Sequence, residues 1–166
     1  RASSAGFRET AAQGAQALEA YARTFRELPP LSVDHRERLL DQLAAGSQHV
    51  LYLLDNEMEV VYDLAFIKWL LEQGHVVTVA AKAEEADNDV TVEDVARLLR
   101  RPDVREFLGE GIDRIRVVSS GSITRATDLR RATPEFLQVW QDANLVLVKG
   151  EGNRGTLKTP AGLTKD

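Results

Sequence analysis

The spacing of apolar side chains changes along the chain, from helical periodicity to short continuous runs. Over residues 5–27 apolar positions recur every three or four residues, which predicts an amphipathic helix that ends at Pro29. A second short helix is predicted over 33–44 and ends at Gly46. Beyond it the runs are short and β-rich. We therefore predict an N-terminal helical segment, residues 1–46, and an α/β domain, residues 47–166.

Four short apolar runs in the second part predict buried strands, at residues 49–54, 76–81, 115–118 and 144–148. Helical patterns lie between them, at residues 57–73, 92–101 and 135–143. This alternation predicts a mostly parallel sheet with right-handed crossovers and helices on both faces, a Rossmann-like three-layer α/β/α fold. Such sheets bind ligands beyond the carboxyl ends of their strands, so the polar residues at those ends become the candidates.

Composition narrows the classes of function. The chain has no cysteine, which excludes disulfides, zinc–thiolate sites and thiol nucleophiles. Its formal net charge is -5 and its basic residues are dispersed, which argues against a broad nucleic-acid-binding face. No apolar run has the length of a transmembrane helix. We expect a cytoplasmic protein that binds neither membranes nor nucleic acid, and its oligomeric state is left open.

The first predicted strand ends at Asp55-Asn56, and two further acidic residues follow on the next helix. Asn56, Glu59 and Asp63 stand at i, i+3 and i+7, which places them on one helix face beside Asp55. Carboxylate and amide oxygens suit hard cations such as Mg²⁺ or Mn²⁺. The simpler alternative is that Asp55 or Asn56 caps the helix. However, Glu59 and Asp63 would repel each other unless a positive charge compensates.

The other strand ends carry weaker signals. Asp89 lies in the loop after the second strand, within reach of Asp55, although it or Thr91 would also serve as a helix cap. After the fourth strand comes a glycine-rich stretch in which Lys149 would offer a charge to a phosphate, with backbone N–H groups around Gly150 and Asn153. A plain turn explains that stretch equally. Ser120, after the third strand, would bond a substrate hydroxyl.

Several other functions are less well supported. His35, His49 and His75 precede strands or lie in the N-terminal segment, which is the wrong place for a Ser-His-Asp hydrolase. No Gly-x-Gly-x-x-Gly follows the first strand, as a dinucleotide-binding domain requires. A Rossmann-like methyltransferase and a non-catalytic binding module that keeps the fold remain as alternatives.

Three short motifs together resemble the damage-control phosphatase family, metal-dependent enzymes once known only as a domain of unknown function. The motifs are Leu51-Tyr-Leu-Leu-Asp-Asn-Glu-Met-Glu-Val-Val-Tyr-Asp63, Asn88-Asp-Val-Thr91 and Val148-Lys-Gly-Glu-Gly-Asn153. Comparable residues lie between them at Ser120-Gly121, Thr127-Asp-Leu129 and Phe136. The resemblance covers residues 50–157, the whole α/β part.

The resemblance implies a divalent cation (Mn, Co, Ni or Mg) bound by Asp55, Asn56 and Asp89. It implies hydrolysis of small phosphomonoesters, such as sugar phosphates or damaged phosphometabolites. Glu59 or Asp63 would orient a water or a ligand, and Asp55 as a covalent nucleophile is the alternative. Lys149, Gly150, Asn153 and Ser120 would contact the substrate.

Two departures from the family pattern stand out. Met58 occupies a position where the family has glycine, and Arg154-Gly155 follows the last motif in place of an acidic pair. Members of the family continue well beyond this motif. The resemblance therefore implies that the chain is a short member or a part of a longer protein.

Overall fold

The computed structural model describes residues 33–157, and the predicted helix at residues 5–27 lies outside that range. The fold described below is that of the second of the chain's two units, residues 40–166, as far as Leu157. The helix predicted over 33–44 is observed as α1, Arg36–Ala44, which spans the boundary between the units. The predicted domain boundary at residue 46 stays a prediction.

The sheet has four strands, β1 (His49–Leu53), β2 (Val76–Ala81), β3 (Ile115–Ser119) and β4 (Leu145–Val148). All three pairings among them are parallel, and the spatial order is β3-β2-β1-β4. Leu53 stands in register with Ala80 on one side and with Val148 on the other. The predicted α/β fold with a mostly parallel sheet is therefore confirmed.

Helices and turns connect the strands. They are a 3-10 turn at Glu57–Glu59, α2 (Val60–Glu72), α3 (Val92–Leu99), α4 (Pro102–Leu108), a 3-10 turn at Gly109–Arg114, α5 (Pro134–Asp142) and α6 (Glu151–Thr156). Helix α5 begins as expected, since Thr133 accepts a hydrogen bond from the backbone N–H of Phe136 and proline follows at the first helical position.

Two short helices were not predicted. The helix predicted over 92–101 is observed and ends at Leu99, and Pro102 then begins α4, because proline is well tolerated in the first turn, where its missing N–H has no partner to lose. The glycine-rich stretch after β4 is not a loop but the short helix α6. Helix propensity does not predict it, because glycine is an unfavourable residue in a helix.

Apolar side chains cover both faces of the sheet. Leu51, Leu53 and Ala80 point to one face, where they form a buried cluster with Phe136 and Trp140 of α5. The alternate positions of the strands, such as Val79 and Ile115, point to the opposite face and meet α2 and α3. Helices thus flank the sheet on both sides, and the polar strand ends are left at its edge.

The order of the strands reverses beside β1. The chain runs from β1 through β2 to β3 in one direction and then returns to place β4 on the other side of β1. In open α/β sheets a crevice forms at such a reversal, outside the carboxyl ends of the strands, and ligands bind there. Asp55 follows β1 and Lys149 follows β4, so both residues border this crevice.

No helix within residues 33–157 combines the length and the apolar character needed to cross a lipid bilayer.

Candidate functional site

Asp55 and Asn56 do not act as helix caps. Asn56 occupies the position before the 3-10 turn in an extended conformation, yet its side chain makes no capping hydrogen bond. Its Nδ2 instead donates to Oε1 of Glu59 at 3.0 Å. Helix α2 likewise starts without a side-chain cap. The simpler alternative for this pair is therefore wrong, and both side chains are available to a ligand.

The segment around Asp89 is fixed between the ends of β1 and β2 by backbone hydrogen bonds. The N–H of Glu57 donates to the carbonyl of Asn88, and the N–H of Val90 donates to the carbonyl of Asp55, each at 2.9 Å. Asn56 and Asp89 thereby face each other as an antiparallel bridge. The three predicted metal ligands, Asp55, Asn56 and Asp89, are brought together by the backbone itself.

The same segment is bonded to β2 as well. The N–H of Lys82 donates to the carbonyl of Val90 at 3.1 Å, and the N–H of Val92 donates to the carbonyl of Lys82 at 3.0 Å. Thr91 then caps α3, and with Asp94 it completes a capping box. Because Thr91 supplies the cap, the Asp89 carboxylate is not needed for it and stays at the strand ends.

Asp89 and Lys82 form a buried pair that is incompletely bonded. Their side chains are 6% and 3% exposed, and Lys82 Nζ lies 3.6 Å from Asp89 Oδ2. Neither of these two atoms has a hydrogen-bond partner within the described residues. Buried polar atoms are normally hydrogen-bonded, so a carboxylate oxygen that accepts no hydrogen bond is a candidate ligand for a water or a cation.

The electrostatics of this group follow from burial. Burial raises the pKa of Asp55, and the charge of Glu59 raises it further, against the opposing effect of Lys149 and Lys82. Burial also raises the pKa of Asp89. The pKa of Lys82 is lowered because burial outweighs the favourable charges of Asp89 and Asp55. Asp55 and Asp89 therefore carry negative charge at a cost that a bound cation would reduce.

Gly150 allows β4 to approach Asp55 closely. Its backbone has φ +86° and ψ +145°, a conformation that is essentially restricted to glycine. A Cβ atom at this position would lie 2.5 Å from Cγ of Asp55 and 2.6 Å from Oδ1, far inside van der Waals contact. The glycine therefore sets the position of the Asp55 carboxylate against the turn after β4, at the reversal of strand order.

The acidic pair on α2 receives its positive charge from Lys149. Lys149 Nζ lies 2.6 Å from Oε2 of Glu59 and 2.9 Å and 3.0 Å from the two carboxylate oxygens of Asp63. Burial lowers the pKa of Lys149, but the hydrogen bonds and charges of the two carboxylates outweigh it and the pKa is raised. Lys149 thus provides the compensation that the spacing of Glu59 and Asp63 requires.

Asp63 is buried and holds other residues of this network in place rather than facing a ligand. It is 3% exposed and accepts a hydrogen bond from the hydroxyl of Tyr52 at 2.8 Å in addition to those of Lys149. Burial, and then the charge and hydrogen bond of Asp63, raise the pKa of Tyr52. Glu59, whose side chain is 43% exposed, is the member of the acidic pair that a ligand can reach.

Two predicted substrate-binding residues have other partners. Asn153 is fully buried, its Oδ1 accepts from the N–H of Thr127 at 3.0 Å and its Nδ2 donates to the carbonyl of Lys149 at 2.9 Å. The side chain therefore braces the turn after β4 against a neighbouring loop. Ser120 is 2% exposed at the end of β3, and its hydroxyl oxygen accepts from the N–H of Ser122 at 3.4 Å.

Lys82 and Tyr52 are site residues that sequence reasoning did not select. A lysine directly after five buried positions of a strand was the available signal for Lys82, since a lysine is almost never buried without a partner. Tyr52 gave no such signal, because a tyrosine within an apolar strand is ordinary core composition.

The donor set fits a hydrated hard cation. Within residues 33–157 no three His, Cys, Asp or Glu side chains lie close enough to bind one metal ion. A cation here would be held by two carboxylates and the amide oxygen of Asn56, with water as the remaining ligands, which is how Mg²⁺ is usually bound. The observation that favours this fit is that Oδ2 of Asp89, although buried, accepts no hydrogen bond from the described residues.

Comparison with known proteins finds a matching family model and several relatives. The family model described as the damage-control phosphatase ARMT1-like domain matches residues 5–163. Damage-control phosphatase PH1575 of Pyrococcus horikoshii is 27% identical over 129 residues, which cover 76% of this chain and 40% of that protein. Uncharacterized protein MJ0202 of Methanocaldococcus jannaschii is 25% identical over 128 residues, or 76% of this chain and 38% of that protein.

A plant relative and a crystal structure extend the comparison. Damage-control phosphatase At2g17340 of Arabidopsis thaliana is 30% identical over 91 residues, which cover 54% of this chain and 25% of that protein. The crystal structure of the DUF89 family protein PH1575 from Pyrococcus horikoshii superposes with a TM-score of 0.68 at 28% identity, over 87% of this chain and 47% of that one.

The chain spans less than half the length of each of these curated relatives. The family model nevertheless covers nearly the whole of it. The chain belongs to the damage-control phosphatase ARMT1-like family.

Proposed function

We propose that this chain is the metal-binding part of a divalent-cation-dependent phosphatase that hydrolyses small phosphomonoesters, such as sugar phosphates or damaged phosphometabolites. The observation that carries the proposal is the convergence of Asp55, Asn56 and Asp89 at the carboxyl ends of the strands, with one carboxylate oxygen that accepts no hydrogen bond from the described residues. The family of phosphatases to which the chain belongs supports the type of reaction.

The balance of charge supports a divalent cation. Four carboxylates, those of Asp55, Glu59, Asp63 and Asp89, are in contact with or electrostatically coupled to the two ammonium groups of Lys82 and Lys149. With all six groups ionised, two negative charges are in excess. A bound Mn²⁺ or Mg²⁺ would neutralise that excess, draw electron density from a phosphoryl oxygen and lower the pKa of an adjacent water.

The residues around this position have separable roles in the proposal. Asp55, Asn56 and Asp89 hold the cation, and Gly150 keeps Asp55 in place. In the hydrolysis itself the water oxygen bonds to phosphorus, the ester P–O bond breaks, and the departing alcohol takes up the proton that the water loses. Glu59 is the exposed carboxylate that would accept a hydrogen bond from this water.

Glu59 is better suited to orienting the water than to removing its proton. Hydrogen bonds from Lys149 and Asn56 lower the pKa of Glu59, which makes it a weak base. Asp63 is already bonded to Tyr52 and Lys149, and its role is to hold Lys149 beside Glu59. This division of roles assigns the two acidic residues of α2 differently, one to the substrate side and one to the interior.

The test is a phosphatase assay on a panel of sugar phosphates with Mn²⁺, Co²⁺, Ni²⁺ or Mg²⁺, with and without a chelator. We expect activity that the chelator abolishes and that Asp55→Ala and Asp89→Ala each reduce by at least about a hundredfold. Asp103→Ala is the control, because that exposed carboxylate on α4 is paired only with Arg101 among the described residues.

Two results would contradict the proposal. Activity that persists in chelator would remove the metal from the mechanism, and full activity of Asp55→Ala or Asp89→Ala would remove these ligands. Thermal stabilisation by Mn²⁺ without turnover of any substrate would instead favour a binding module that keeps the fold and the cation site.

A further inference from the structure

Lys82, Lys149 and Arg125 lie at this edge of the sheet, and their donors are not equally available. All of the hydrogen-bonding capacity of Lys149 is directed at Glu59 and Asp63. Lys82 is buried, and its Nζ is closed off from solvent. Arg125, in the loop after β3, has a side chain that is 80% exposed. Of these three cations, only Arg125 can meet a substrate that arrives from solvent.

Arg125 is held at the site from two sides. Its Nε donates to Oδ2 of Asp87, which lies two residues before the predicted ligand Asp89. Its carbonyl oxygen lies against the first turn of α6, since a Cβ placed on Gly152 would be 3.2 Å from it. Asp87 itself has a positive φ of 57°. Arg125 therefore stands between the two segments that carry Asp89 and Gly150.

The loop that carries Arg125 is bonded internally and to its surroundings. The hydroxyl of Ser122 donates to the carbonyl of Ala126 at 2.6 Å, and the hydroxyl of Thr124 donates to the same carbonyl at 3.1 Å. The N–H of Thr127 donates to the buried Asn153. The backbone at Arg125 is thus positioned by neighbours on both sides, and the direction of its side chain is set by Asp87.

The guanidinium has a free edge. Its Nε donates a hydrogen bond to Asp87, while the two terminal nitrogens make no hydrogen bond to any residue that the structure describes. Terminal nitrogens of arginine match the spacing of two phosphoryl oxygens and bind them in pairs. The charge of Asp89 also reaches Arg125 and, after the larger effects of Asp87, contributes to its raised pKa.

We propose that Arg125 is a phosphate-binding residue of this site, which pairs the terminal edge of its guanidinium with a phosphomonoester while Asp87 holds the Nε side. The inference rests on the proposed function, because it places the phosphoryl group beside the ligands Asp55, Asn56 and Asp89. Lys149, which the sequence favoured for this role, then acts as an internal counter-charge.

The matched control is Arg130, which stands in the same loop and is equally exposed. It pairs with Asp128 through both Nε and a terminal nitrogen, so its paired edge is turned to its own carboxylate. Arg125→Gln, Arg125→Lys, Asp87→Asn and Arg130→Gln are compared with the unchanged chain. Calorimetry measures the dissociation constant of Mn²⁺ alone and then that of inorganic phosphate at saturating Mn²⁺, and steady-state kinetics measure KM for the substrates that are turned over.

We expect Arg125→Gln to weaken phosphate binding by about 10- to 100-fold and to raise KM similarly, because a charge-assisted pair is lost. Mn²⁺ affinity should change by less than about twofold, since Arg125 is outside the ligand set. Arg125→Lys should recover part of the loss, because the charge remains without the paired geometry. Asp87→Asn should give a smaller loss of phosphate affinity, and Arg130→Gln none.

Phosphate binding by Arg125→Gln that equals that of Arg130→Gln would overturn the proposal. An equal loss of Mn²⁺ affinity would also overturn it, because Arg125 would then act by supporting the loop of Asp89. If the unchanged chain binds phosphate but hydrolyses nothing, the proposed function fails while the assignment of Arg125 is still decided by the binding data. If the unchanged chain binds no phosphate with Mn²⁺ present, both the proposed function and the assignment of Arg125 are overturned.

Discussion

The approach of Gly150 to Asp55 makes a single methyl group a sensitive probe of the site. In Gly150→Ala the new Cβ would start 2.5 Å from Cγ of Asp55. A relaxed contact between carbon atoms is about 3.5 Å, so the carboxylate or the turn has to move by roughly 1 Å. The backbone cannot easily relieve this, because φ +86° with ψ +145° is itself unfavourable for alanine.

These two effects set the expected magnitude. The backbone conformation costs a non-glycine residue about 1–3 kcal/mol, and forcing atoms into a packed place costs about 1–3 kcal/mol more. Because relaxation shares the strain, we expect the free energy of unfolding to fall by about 2–4 kcal/mol. A displacement of Asp55 should weaken Mn²⁺ binding by about 10- to 100-fold, as for other changes that misplace a metal ligand.

Gly155→Ala is the internal control, since a Cβ there has nothing within 4 Å and the residue lies in α6, the short helix that begins directly after Gly150. Alanine should be neutral at that position or stabilise the fold by up to about 1 kcal/mol. Urea unfolding and Mn²⁺ calorimetry are measured on both variants. Equal stability and equal Mn²⁺ affinity of the two alanine variants would refute the argument that Gly150 sets the position of Asp55.

Two further predictions concern buried polar pairs of the site, one hydrogen-bonded and one an ion pair. Tyr52→Phe should lower the free energy of unfolding at neutral pH by about 1–2 kcal/mol, because the hydroxyl donates to the charged Asp63. Because the pKa of Tyr52 is raised on folding, its contribution to the free energy of unfolding is complete below pH 10.0 and is lost as the pH rises above that value. Phenylalanine does not ionise, so above pH 10.0 the variant should lose less stability than the unchanged chain. Urea unfolding across pH measures the difference. Lys82→Met should destabilise the fold by about 3 kcal/mol, because it leaves the buried carboxylate of Asp89 without its counter-charge. Mn²⁺ should raise the melting temperature of this variant more than that of the unchanged chain, and a response that persists when Asp89→Asn is added would contradict the assignment of Asp89 as a ligand.

The strands could be predicted well from the sequence, because a strand that is buried on both faces is a continuous run of apolar residues. β2 was predicted at its observed bounds, and β1 to within one residue. The helices α4 and α6 were missed for a local reason. Proline and glycine normally interrupt helices, yet Pro102 is in a first turn and α6 is held in place by Asn153, whose partners lie in other segments.

The strand ends could also be predicted, since parallel strands bring their carboxyl ends to one edge of the sheet. That rule alone predicts that Asp55 and Asp89 lie close together. It could not show which side chains would point outward. Asn153 is buried and Arg125 is exposed because of contacts between loops that are distant in sequence, and no periodic pattern records such contacts.

The requirement for a positive charge beside Glu59 and Asp63 was read correctly from their spacing, but the ammonium of Lys149, 86 residues from Asp63, satisfies it. The case for a cation therefore moves away from these two residues. Asp55 and Asp89 share Lys82 as a counter-charge, and Lys149 acts on Asp55 as well. Oδ2 of Asp89 accepts no hydrogen bond from the described residues. Because this incompletely compensated negative charge lies where the backbone of three strand-end segments converges, we propose the cation site at Asp55 and Asp89 and not on the face of α2. Mutation of Glu59 should accordingly alter turnover more than Mn²⁺ affinity, whereas mutation of Asp89 should abolish both.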